Sequence, residues 1–195
     1  MEIHEGKALL HWNYFLALEA DIENLSRYIE FSENNFDSYS TEMAHILIAS
    51  SSEVDVMAKQ LCKHLNAGSK ACKINQYRDE LRLGIPELEN IEITLPRYAL
   101  TLTPWKNWNG NKTPLWWSSH NKVKHQRDEH FKDANLKNVL NAMAALFSLV
   151  LYYYRGTIEG KRIEPPPNLF TPPPQLARIC PTVGGRMALF FEEKH

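Results

Sequence analysis

The feature that most constrains the fold of this chain is one long apolar run. Residues Val139–Tyr154 are almost entirely apolar, with Asn141 as an exception. The run is shorter than the roughly 20 residues that a helix needs to cross a bilayer. A helix that is apolar on every side has to be covered by the rest of the chain. The run therefore predicts a buried helix over Ala134–Tyr154, capped by Asp133, in a protein that does not enter a membrane.

Composition narrows the class of protein further. A hydrophobic fraction of 44% over 195 residues excludes wholesale disorder and is sufficient for one self-contained domain. The 22 basic residues are balanced by 23 acidic ones, which argues against a protein that coats long stretches of DNA. The three cysteines form neither a disulfide framework nor a C-x-x-C pair, and the first residues do not resemble a signal peptide. We therefore expect a cytoplasmic protein without a cofactor.

Apolar residues spaced by three and four predict the earlier helices. The first covers about Lys7–Phe31. The second begins at an N-cap of Ser40 or Thr41 and ends at Asn66, and a shorter third covers Lys73–Leu83. Ten apolar residues on these stripes and on the long apolar helix are expected to form one core: Phe15, Leu18, Ile22, Leu25, Val54, Met57, Leu61, Val139, Leu146 and Leu149.

The middle and the end of the chain follow other patterns. Two short alternating runs within Ile91–Leu102 predict a small hairpin, and residues 104–112 follow as a loop with exposed tryptophans. A further helix starts at Thr113-Pro114 and carries the residues up to Phe131. The last part of the chain holds seven of its eleven prolines, so we expect polyproline-like segments that either wrap the helices or hang free.

These elements predict an all-α fold. We expect a helical bundle of four to five helices with a small β-hairpin-like insertion and a Pro-rich C-terminal tail. Residues 1–160 would form the bundle, with the insertion at about 85–112, and residues 161–195 would form the extension. The alternative is an α+β domain in which residues 91–103 join a larger sheet.

The densest set of functional side chains is His120-Asn121-Lys122-Val123-Lys124-His125-Gln126-Arg127-Asp128. At 100° per residue, Asn121, His125 and Asp128 share one helix face with Trp117. An imidazole can exchange a proton at neutral pH, and Asp128 could fix its tautomer.

The neighbouring side chains suggest a phosphate ligand. Lys122, Lys124 and Arg127 would attract a phosphate, and Trp116-Trp117 could stack a base. The alternatives are a solvated helix face and two core tryptophans. The histidines at 120, 125 and 130 are spread around the helix by their spacing of five, so we predict no metal site.

Glu53 lies at the border of the buried stripe of the second helix. Its carboxylate either reaches water at the edge of the bundle or pairs with a cation such as Lys124 or Arg127. Burial without a cationic partner would be costly.

The segment W-W-x-x-H-N-K-V-K-H-x-R-D, followed by a long apolar helix, resembles the motif region of the HEPN superfamily. The acidic-polar stretch SSSEVDVMAK on the second helix also looks like one seen in HEPN-like proteins. The resemblance implies an all-α bundle and a metal-independent endoribonuclease that works as a dimer, with the motifs meeting across the interface. Such proteins occur among toxin, abortive-infection and RNA-processing systems.

The resemblance also implies roles for particular residues. His125 matches the catalytic histidine, Asn121 matches the polar position, and His120 stands where the family has an arginine. This departure removes a permanently charged fork that binds phosphate. Lys124 or Arg127 would then have to supply the charge.

Two hypotheses about function follow from the sequence. The first is an RNA-binding or RNA-cleaving HEPN-like homodimer, in phage defence or a stress response, with His125 as general acid or base. The second is a non-catalytic helical interaction module in which the motif locks two helices together. They differ in whether His125 faces an open cleft or the bundle interior.

Overall fold

The computed structural model describes residues 8–158 and 161–192. In these ranges the helices are α1 (Leu10–Leu25), α2 (Thr41–Leu65), α3 (Ile74–Gly84), α4 (Leu115–His125), α5 (Arg127–His130) and α6 (Leu136–Thr157). The strands are β1 (Ile93–Leu95), β2 (Leu100–Leu102), β3 (Arg162–Ile163), β4 (Ala177–Pro181) and β5 (Met187–Phe191).

The long apolar helix α6 forms the centre of the molecule. It makes its most extensive contact with α2, and α1 and α4 also pack against it. The helix is long and apolar enough to cross a membrane, but most of it is buried, as in the core helix of a soluble protein. All ten residues predicted for the core belong to one buried cluster, so this prediction is confirmed.

Side-chain caps fix where the two central helices begin. The Ser40 hydroxyl accepts a hydrogen bond from the Met43 backbone N–H at 3.1 Å, which confirms Ser40 as the N-cap of α2. In α6 the cap is Asn135, whose side chain accepts from the Asn138 N–H at 3.0 Å, and not Asp133 as predicted.

The prediction of an all-α bundle of four to five helices is wrong. The described residues form six helices and two small antiparallel sheets, although the fold is mostly helical. One sheet is the predicted hairpin of β1 and β2, and the other has the strand order β3-β5-β4. The second sheet was not predicted, because the many prolines of the tail indicated extended segments. The tail instead contains a hairpin of β4 and β5. Its turn contains Gly185 at φ +75°, a conformation that glycine adopts without strain.

The C-terminal segment wraps the helices and is fastened by a buried carboxylate. Glu19 of α1 is only 2% exposed, and it accepts backbone N–H bonds from Asn168 and Leu169 at 2.9 Å and from Phe170 at 3.1 Å. Burial raises the pKa of the Glu19 carboxyl, and the three N–H groups oppose this shift. The Trp12 indole N–H also donates to the Pro165 carbonyl at 2.9 Å.

The tryptophan loop is part of the core. Trp105 and Trp108 were predicted to be exposed, but both are buried, with their ring centroids 4.3 Å apart. The Trp105 indole N–H donates to the Ser148 hydroxyl of α6 at 2.9 Å. The insertion therefore covers one side of α6, which explains why its tryptophans avoid water.

Candidate functional site

The motif residues surround a break between two helices. Helix α4 ends at His125 because Gln126 leaves the helical conformation, with φ −143° and ψ 51°. Helix α5 starts anew at Arg127. We call the open groove at this break, about 750 Å³ in volume, the motif groove. It is lined by Thr41, Ile48, Val123, Lys124, His125, Arg127, Asp128 and Phe131.

The break changes which motif residues lie together. Trp117, Asn121 and His125 lie on one face of α4, as predicted, but Trp117 is buried whereas Asn121 and His125 are exposed. Asp128 lies beyond the break and reaches the same groove as His125 through the change in chain direction. Within the described ranges, no hydrogen bond joins these two side chains, so both remain open to a ligand.

The groove has an excess of positive charge. Lys124 and Arg127 line it beside His125, against the single carboxylate of Asp128. Both cations are exposed, and neither pairs with a carboxylate in the part of the chain that the structure describes. Thr41 is the first residue of the 25-residue helix α2, whose N-terminus adds a partial positive charge. This arrangement favours an anionic ligand.

His120 lies apart from the groove, in the interior. Its side chain is 4% exposed, and its ring is 5.5 Å from the ring of Trp117. Neither ring nitrogen has a hydrogen-bond partner among the described residues. Burial lowers the pKa of the His120 imidazole to about 4, with smaller contributions from Lys124 and His125. His120 is therefore neutral at pH 7 and provides no charge to a ligand.

Two other predicted site residues are outside the groove as well. Asn121 and Lys122 are exposed on α4 but do not line the motif groove. The Lys122 ammonium lies 3.7 Å from the Asp133 carboxylate, which also lies 3.5 Å from the His130 imidazole. Lys122, His130 and Asp133 form a separate polar cluster between α4 and the start of α6.

Glu53 has a partner that the sequence did not suggest. Its carboxylate lies 2.6 Å from Nδ1 of His11, and the side-chain amide nitrogen of Gln60 lies 3.0 Å from Nε2 of the same ring. The carboxylate only accepts, so Nδ1 carries the proton and Nε2 accepts from Gln60. Neither Lys124 nor Arg127 pairs with Glu53. This network joins α1 to α2.

The groove also contains residues that sequence reasoning missed. Thr41 and Ile48 come from α2, and no local pattern places them beside the motif. Phe131 lies at the other wall, with its ring 5.4 Å from that of Tyr39 in an edge-to-face contact. Within the described ranges, no group of three or more His, Cys, Asp or Glu residues is arranged to hold a metal ion.

The chain matches no protein-family model, no curated protein and no solved structure. Any assignment of function therefore depends on the chemistry of the site.

Proposed function

We propose that the protein binds single-stranded RNA in the motif groove and cleaves it without a metal ion, as a cytoplasmic HEPN-like endoribonuclease. The observation that carries the proposal is the position of His125. It lines an open groove beside two cations that have no carboxylate partner in the described ranges. A histidine that only locked two helices together would be buried and hydrogen-bonded on both sides.

The groove suits a phosphodiester in three respects. Lys124 and Arg127 offer charge to a phosphate, and a guanidinium can bind two phosphate oxygens at once. Thr41 brings the N-terminus of α2, the positive end of its helix dipole, to the groove. Phe131 and Ile48 supply an apolar wall for a ribose or a base. Because the net charge of the whole chain is −1, RNA should be attracted to this local patch and not to the rest of the surface.

We assign the proton transfer to His125. The imidazole takes the proton of a ribose 2′-hydroxyl, whose oxygen forms a bond to the adjacent phosphorus. The bond from phosphorus to the 5′-oxygen breaks, and this oxygen leaves with a proton from water. The products are a 2′,3′-cyclic phosphate and a 5′-hydroxyl end. Lys124 and Arg127 stabilise the charge that grows on the phosphate oxygens. Asp128 is the groove residue that can orient the imidazole.

Binding is tested by fluorescence anisotropy with a short mixed-sequence single-stranded RNA over a range of salt concentrations. Lys124→Ala and Arg127→Ala should each lower the slope of log affinity against log salt by about 0.7, because each removes one phosphate contact. Lys63→Ala is the matched control, since Lys63 is exposed and lies about 33 Å along α2 from Thr41. Equal slopes for all three variants would show that RNA does not occupy the groove.

A further inference from the structure

A second pocket lies beside the N-terminus of α2, and the mechanism proposed above does not use it. It has a volume of about 530 Å³, and we call it the tyrosine pocket. Leu25 contributes to an apolar floor, and the polar lining includes Asp21, Asn24, Tyr28, Tyr39 and Glu42. Tyr28 is 87% exposed and Tyr39 is 53% exposed, so two phenol rings are available for stacking.

The tyrosine pocket adjoins the motif groove. Ser40 lines the pocket and Thr41 lines the groove, and consecutive Cα atoms are about 3.8 Å apart. Tyr39 lines the pocket, and its ring contacts Phe131 of the groove. A nucleotide whose phosphate lies in the groove can therefore place a nearby base in the pocket.

The wall between the two sites is held in place by backbone hydrogen bonds. The Leu136 N–H donates to the Ser38 carbonyl at 2.9 Å, and Tyr39 forms an isolated antiparallel bridge with Asn135. This wall is therefore preformed, which lowers the entropic cost of ordering it around a ligand.

The charged groups that line the pocket are all carboxylates. Asp21 and Glu42 are acceptors only, and no lysine, arginine or histidine is among the described residues that line the pocket. Asp21 has no hydrogen-bond or ion-pair partner in the described ranges, and Glu42 has only a contact of 3.8 Å with His45. The side chain of Asn24 offers both a donor and an acceptor.

We infer that the tyrosine pocket binds guanine and directs the protein to RNA sites next to a guanosine. Guanine presents two adjacent donors, N1–H and the N2 amine, which match the two oxygens of one carboxylate. Adenine and cytosine each present one amine beside a ring acceptor that a carboxylate would repel, and uracil presents only one donor. Tyr39 supplies a stacking surface for the base. This inference rests on the proposed function, because it specifies the substrate of the same site.

The test uses nucleosides, which carry no phosphate and therefore do not depend on the motif groove. Titration calorimetry should show guanosine binding at least roughly ten-fold more tightly than adenosine, cytidine or uridine, the scale of one bidentate base contact. Inosine keeps N1–H but lacks the N2 amine, so its binding should be intermediate. The double variant Asp21→Asn/Glu42→Gln should lose the preference for guanosine. Asp37→Asn/Glu30→Gln, two exposed carboxylates outside the pocket, should keep it.

The outcomes separate this inference from the proposed function. If RNA binding depends on Lys124 and Arg127 but no nucleoside is preferred, the pocket inference is wrong and the function stands. If guanosine binds as predicted while RNA binding ignores both cations, the pocket is supported and the function proposal fails. Equal binding of all nucleosides, or binding of an arginine-rich peptide in place of guanosine, would overturn the inference.

Discussion

Replacing His120 by leucine should remove a pH-dependent instability. The imidazole is 4% exposed, and burial lowers its pKa to about 4. Between pH 6.5 and 4 the unfolded chain takes up a proton that the folded protein excludes, so stability falls as pH falls. With an unfolded pKa of about 6.5, the loss is about 2 kcal/mol at pH 5 and about 3 kcal/mol in full below pH 4.

The assay compares the free energy of unfolding of wild type and His120→Leu, by urea denaturation at pH 7 and pH 5. Leucine has a similar volume and leaves no buried nitrogen unpaired, so the variant should be as stable as wild type at pH 7, or more stable. The free energy of unfolding of the variant minus that of wild type should be larger at pH 5 than at pH 7 by about 2 kcal/mol. The raised pKa of Glu19 gives the opposite slope with pH, but it cancels in this comparison. An equal pH dependence for both proteins would refute the burial of an unpaired imidazole.

The remaining predictions concern the tail and the assembly. Glu19→Ala should lower the free energy of unfolding by at least about 3 kcal/mol, because three backbone N–H groups lose their acceptor. Limited proteolysis should then cleave the segment after residue 161 faster than in wild type, and unchanged cleavage would contradict the fastening role. The HEPN-like proposal also predicts a homodimer. Light scattering that reports a monomer at tens of micromolar would count against it.

The central helices could be predicted because each carries a local signal. The stripe of α2 and its Ser40 cap, and the apolar run of α6, lie within their own segments. The tail could not be predicted in this way, because Glu19 binds residues 149 to 151 positions later in the chain. Such a contact leaves no periodic pattern, whereas the prolines nearby are conspicuous and suggested an extended segment.

The site was predictable only in part, for a similar reason. Lys124, His125, Arg127 and Asp128 form a local cluster of functional residues, and the structure brings these four to one groove. The predicted placement of Asp128 on the face of Asn121 and His125 assumed one continuous helix up to Phe131. The break at Gln126 could not be predicted, because the sequence has no proline or glycine at this point. The contribution of α2 to the groove is set by the packing of α2 on α4, which only the tertiary structure shows.

The most direct test of the account is RNA cleavage in the presence of EDTA, with purified wild type compared with His125→Ala. The exposed His125 should be removable at a cost of about 0.5 kcal/mol of stability or less. The cleavage rate should fall by a factor of roughly 10² or more, the usual scale of general acid–base catalysis. The products should carry 2′,3′-cyclic phosphates. The catalytic role of His125 would be contradicted if wild type leaves mixed RNA intact. It would also be contradicted if His125→Ala is much less stable than wild type but cleaves RNA at the same rate.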